Sequence, residues 1–147
     1  MKTALLFISL LSAAPALAQS GDETAVRATI GQMFVGMNKA DSLVLKPLFT
    51  PVARLQTVVN KDNSVSVKED PIAGFITSVG KAKPGSLDER LGSYVVHVDG
   101  DLATAFTPYQ FYYNGQQRHC GANAFTLVRM DGSWKIQNII DTRRKCE

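Results

Sequence analysis

The sequence predicts an α+β domain in which N-terminal helices pack on a curved antiparallel sheet. Two observations carry this. Apolar residues recur at helical spacing as far as about residue 80, and beyond residue 90 the chain alternates polar and apolar side chains between Asp-Gly and Asn-Gly turns. Helices first and a hairpin-connected meander last is the order of an α+β fold, not of alternating βαβ units.

The chain opens with Lys2, an apolar run from Ala4 to Leu11 and the small-residue end Ala16-Leu17-Ala18 ahead of Gln19, the pattern of a cleaved secretory signal over residues 1–18. That run is too short for a permanent membrane helix, no later segment is apolar for long enough, and no Cys follows the cut to carry a lipid. A soluble periplasmic or secreted protein with no membrane partner is expected. Removing 18 of the 147 residues leaves one domain over 19–147, with room for a single core. The formal net charge of +3 falls by one with Lys2, which leaves a nearly balanced surface and argues against a nucleic-acid partner.

Val26, Ile30, Met33, Phe34 and Met37 set a helix from Asp22 to about Lys39, after a frayed Gln19 to Gly21, with Gly31 and Gly36 expected where it packs closely on the sheet. Asp41 is the natural N-cap of a second helix through Phe49, curtailed by Pro47. Ala53 to Val59 and Ser64 to Val67 read as a hairpin. Asp70-Pro71 reads as the cap and first position of a third helix to Val79, with Ile72, Phe75 and Ile76 inward. Four strands follow, Leu91 to Val98, Leu102 to Tyr113, Gln117 to Arg129 and Trp134 to Thr142, with turns at Asp99-Gly100-Asp101, Asn114-Gly115 and Asp131-Gly132.

Cys120 and Cys146 are the only cysteines. In an oxidising compartment they predict a disulfide, which would contribute about 3 to 4 kcal/mol in the chain-entropy model; Cys146 reaches Cys120 only if the tail curls back after Arg144. Two Cys and two His without metal-type spacing predict no metal, and no fingerprint of a cofactor site, P-loop or hydrolase elbow occurs.

The Asp131-Gly132 turn pairs residue 130 with 133, which sets Leu127 opposite Ile136, Phe125 opposite Asn138, Asn123 opposite Ile140, His119 opposite Arg144 and Ala122 opposite Asp141. Carried through the other turns, the same face takes Tyr94, Val96, Val98, Leu102, Thr104 and Phe106, with a bulge at Pro108 able to reverse the parity. Asn123, Asn138 and Thr104 are then polar groups in an apolar face. They form either a structural hydrogen-bond network or the polar contacts of a ligand pocket. His119 is either a general base or a cap at the strand end, since in this register Asp141 points to the other face. Of Arg143 and Arg144, alternation lets one look inward, and Asp88-Glu89-Arg90 offers the other a surface partner.

The helix from Asp22, Asp41-Ser42-Leu43 to Phe49, Asp88-Glu89-Arg90-Leu91, Tyr109-Gln110-Phe111-Tyr112, His119-Cys120-Gly121-Ala122-Asn123-Ala124-Phe125 and Trp134-Lys135-Ile136 with Asp141-Thr142-Arg143-Arg144 resemble the nuclear transport factor 2-like superfamily. Within it the His-Cys-Gly and Asp-Thr-Arg-Arg segments resemble the lumazine-binding branch. The resemblance implies a cone, a strongly bent sheet wrapped on helices, with a cavity between the concave face and the first helix. The expected function is binding of a small, partly apolar or aromatic molecule without a cofactor. Phe34, Tyr94, Phe106 and Phe125 would be walls, and Asn123, Asn138, Arg144 and His119 polar anchors. The alternative is an acid-base enzyme with His119 as base. A homodimer through the outer sheet face, with Val95, His97, Ala105 and Thr126, is compatible with both.

Overall fold

The computed structural model describes residues 14–62 and 64–147, with side chains from residue 21 onward; the expected leader lies outside the described residues as far as residue 13. The apolar stripe of the first helix becomes the buried face of α1 (Ala14–Asn38), where Val26, Ile30, Met33, Phe34 and Met37 are all enclosed. Gln19 to Gly21 is helical, not frayed. Asp41 caps α2 (Ser42–Leu45), its Oδ1 accepting the N–H groups of Leu43 and Val44 at 3.0 and 3.1 Å. Gly36 lies against α2: a Cβ there would sit 3.1 Å from Leu45 Cδ2, so its role is helix–helix approach and not contact with the sheet. Gly31 faces open space.

Pro47 falls in a 3₁₀ turn, Lys46–Leu48, which ends the helical stretch early, and Phe49 opens a long strand, β1 (Phe49–Lys61). β2 (Ser64–Pro71) returns beside it. Asp70 thus belongs to a strand, where it pairs with Lys68, and α3 (Ile72–Gly80) starts without a side-chain cap. Ile72, Phe75 and Ile76 of α3 pack on the core as expected.

The single strand expected from Leu91 to Val98 is two, β3 (Leu87–Leu91) and β4 (Val95–Asp99), both paired with β5 (Leu102–Tyr113). The break lies beside Pro108, where a Cβ on Gly92 would come 2.9 Å from the proline ring. β6 (Gln116–Met130) and β7 (Ser133–Arg144) complete the sheet, in the order β2-β1-β7-β6-β5-β3 with β4 also on β5. β1 runs parallel to β7, so the sheet is mixed where the sequence had predicted it antiparallel throughout. Asn114-Gly115 and Asp131-Gly132 take positive φ at both positions, 52° and 76° and then 51° and 74°, as two-residue hairpin turns matched to strand twist require.

The predicted register holds from Met130 opposite Ser133 to Leu127 opposite Ile136, then fails by one. A bulge at Gln137 inserts an extra residue into β7, so Phe125 faces Ile139, Asn123 faces Asp141, Ala122 faces Thr142 and Cys120 faces Arg144. Because side chains alternate, one residue reverses everything beyond it: the buried set runs Trp134, Ile136, then Ile139 and Asp141. A second parity error sits at the β4–β5 turn. Asp99 pairs with Leu102, which puts Ala103 and Ala105 on the helix side with Val96 and turns Leu102, Thr104 and Phe106 outward.

Candidate functional site

Past the residues that α1 covers, the helix-facing ends of β3, β5, β6 and β7 continue as Glu89, Tyr109, His119, Asp141 and Arg143. With α3 and the end of α1 they enclose a pocket of about 450 Å³. Met37, Phe75, Val79, Leu87, Phe111 and Tyr113 give it apolar walls. Two features of strand geometry position the polar floor. The Gln137 bulge swings Asp141 and Arg143 inward, and alternation in β3 aligns Glu89 with Leu87 and Leu91 on the inner face.

Asp141 is buried and accepts three hydrogen bonds, from Thr57 Oγ1 at 2.5 Å, Tyr109 Oη at 3.0 Å and Arg143 Nε at 2.9 Å. Arg143 Nη2 also donates to Thr57 Oγ1 at 3.3 Å, which closes the cluster. The Tyr109 hydroxyl is equally near the Thr142 carbonyl, but it has one proton, and the carboxylate is the stronger acceptor. Burial and then the negative charge of Asp141 raise the Tyr109 pKa, so the phenol remains a donor. Arg143 is raised as well: burial opposes its charge, and the hydrogen bond and charge of Asp141 outweigh that. Gly121 makes room for the arrangement. A Cβ there would lie 2.7 Å from Tyr109 Cε1 and against the Thr142 carbonyl.

Glu89 has poorer support. It accepts one hydrogen bond, from Asn123 Nδ2 at 2.7 Å. Burial pushes its carboxyl up to about 7; the Asn123 bond opposes the shift, the charge of Asp141 adds to it and Arg143 opposes it. A carboxyl raised this far titrates much closer to neutral pH than an exposed glutamate does. His119 lines the same pocket between the rings of Tyr109 and Phe111, with centroids 5.7 and 5.1 Å away. Burial and the Arg143 charge lower its pKa, with Asp141 acting the other way. Among the described residues its ring forms no hydrogen bond to a carboxylate.

The residues singled out in the sequence divide into three groups. His119 is at the pocket, Asn123 lies beneath Glu89, and Phe125 is closed under α1 with Phe34 edge-on at 6.2 Å. Phe34 also borders a smaller cleft between α1 and Glu89. Tyr94 sits outside the pocket beneath the Arg27 guanidinium, 5.1 Å from its ring centre. Phe106, Asn138 and Arg144 face outward, which corrects the cavity expected around Phe106 and Asn138; the bulge and the tight β4–β5 turn are the causes. Arg143, not Arg144, is the inward arginine. Cys120 and Cys146 form a disulfide with Cα atoms 5.1 Å apart, the tail leaving the strand after Arg144 as the pairing demands.

Sequence reasoning passed over Glu89, Tyr109 and Thr57 as site residues; it weighed Asp141 only as an orienter of His119 and turned it to the other face, and it left the inward arginine open between Arg143 and Arg144. A signal existed for Asp141 and for Glu89. In Trp134 to Asp141 the Gln137-Asn138 doublet interrupts apolar alternation, the mark of a bulge, and in Leu87 to Leu91 a Glu falls on the face of two leucines. Thr57 carries no such mark, because its contact depends on the parallel pairing of β1 with β7.

No family sequence model and no curated protein matches this chain. Solved structures do match its fold. A protein of unknown function from Shewanella baltica, described as NTF2-like, is 19% identical with a TM-score of 0.69, over 86% of this chain and 97% of that one. An NTF2-like protein with a cystatin-like fold from Novosphingobium aromaticivorans is 17% identical with a TM-score of 0.70, over 91% and 89%. A second protein of that organism, named as a candidate scytalone dehydratase, is 14% identical with a TM-score of 0.66, over 85% of each chain. At these identities the likeness is one of fold: this chain has the NTF2-like, cystatin-like α+β cone.

Proposed function

We propose that this protein binds a small, partly apolar, ring-bearing molecule in the pocket between α3, the end of α1 and the inner sheet face. The observation that carries the reading is the combination of apolar walls with a polar floor held ready by Asp141, Thr57 and Tyr109. A flat heteroaromatic such as a lumazine is the ligand that the sequence resemblance brings forward, and Phe75, Phe111 and Tyr113 suit a flat ring. Export to the periplasm or medium fits the leader-like residues 1–18 and the disulfide. A homodimer through the outer face is supported by the half-exposed Phe106 and Val95 on neighbouring strands there.

The second reading is acid-base chemistry on the bound molecule, favoured by the Glu89 carboxyl near 7. In this reading Glu89, and not His119, moves the proton, and the Arg143 and Tyr109 donors stabilise negative charge that develops on the ligand. Native mass spectrometry of the purified chain tests the first reading, with a retained small molecule and twice the chain mass expected; an empty monomer rejects both parts. Deuterium wash-in from D₂O into that molecule tests the second. Glu89→Gln is expected to keep binding and slow the exchange by roughly 100-fold. Exchange at the wild-type rate would leave binding alone.

A further inference from the structure

The charges around the pocket do not balance. Asp141 is engaged by three donors, one of them the Arg143 cation, and burial pushes the Glu89 carboxyl up to about 7, so that it carries less than a full charge near neutral pH. Two cations line the same space, Arg143 on β7 and Lys81 just past α3. Lys81 is in no ion pair among the described residues. Arg143 turns one edge, Nε and Nη2, toward Asp141 and Thr57, so the end edge formed by Nη1 and the second N–H of Nη2 remains for another acceptor. Its side chain is 55% exposed and borders both the pocket and an adjoining groove that also contains Asn60 and Lys68.

A guanidinium with a free end edge matches the two oxygens of a carboxylate, and the bond to Asp141 has already fixed its orientation. We propose that the ligand of this pocket is an organic anion: an apolar, ring-sized body lies against Phe75, Val79 and Phe111, and its carboxylate is held by Arg143 with Lys81 as second cation. This rests on the reading that the pocket binds a small molecule, and it narrows that molecule to the class of aromatic or alicyclic acids.

The test is titration of the full chain with 2-naphthoate and with its neutral analogue 2-naphthamide, followed calorimetrically and by NMR shifts at Val79 and Phe111. The acid is expected to bind at least about tenfold more tightly than the amide, and Arg143→Gln to abolish most of that advantage, weakening the acid far more than the amide. That variant strips Asp141 of a charged partner and can harm folding, so Lys81→Ala, at an exposed helix end, is the second arm; it should weaken the acid severalfold and spare the amide. Equal affinities with shifts in the pocket would overturn the anion class and leave pocket binding intact. Acid binding that both variants leave unchanged would place the anion elsewhere and overturn the proposal. If neither probe binds, the proposal falls, and the pocket reading is decided separately by whether native mass spectrometry finds a retained molecule.

Discussion

At one end of the inner sheet face, Ala103, Phe125, Leu127 and Ile136 lie beneath α1 and are closed from solvent; further along the same strands, Tyr109, His119, Asp141 and Arg143 border an open pocket. The strands do not change between the two ends. What changes on β7 is one residue, Gln137. Without the extra position, β7 would turn Asn138, Ile140 and Thr142 inward, and Asp141 would lie on the outside, as the simple alternation of the sequence predicts. A single insertion therefore puts the carboxylate and guanidinium of β7 on the polar floor, and the two ends should respond differently to substitution.

The largest effect is expected at the dry end. Leu127→Ala removes a fully enclosed side chain that pairs with Ile136 and Ala103, and should lower stability by about 2 to 5 kcal/mol in denaturant unfolding. A loss below about 1 kcal/mol would mean that the region collapses around the gap and is not closely packed. At the wet end the informative variable is pH. The folded-state pKa of Glu89, about 7, lies above its ordinary 4.5, so the folded chain holds this proton more tightly than the unfolded one. The stability from that preference is complete below about pH 4.5 and is lost as pH rises to about 7, a change on the order of 3 kcal/mol. Glu89→Gln should flatten that slope; parallel slopes in both proteins would show that Glu89 does not titrate this way. The smallest effect belongs to Tyr109→Phe, which takes one of three donors from Asp141 and should cost about 1 to 2 kcal/mol in thermal unfolding, with Thr57 and Arg143 retained.

The sequence was informative wherever a local rule decides the outcome. The stripe of α1, the Asp41 cap, the Asn-Gly and Asp-Gly turns and the disulfide all follow from neighbours in sequence or from pairing chemistry. It misled where parity has to be carried along a long strand, because an error of one residue is invisible locally and total beyond that point. That is why Asn138 and Phe106 were expected inside and Asp141 outside. The parallel pairing of β1 with β7 was illegible for another reason, since no turn links those strands and their meeting is a property of the whole sheet.

That parallel pairing also sets an order in time. β5, β6 and β7 are joined by two-residue turns and can zip locally, whereas Thr57 meets Asp141 across 84 positions. Contacts of that span carry a larger loop-closure entropy and slow folding relative to hairpins. The half of the site on β7 is thus expected to form before β1 docks to complete it. The time needed to become competent for a ligand is then expected to follow the docking of β1 and not the closing of the hairpins.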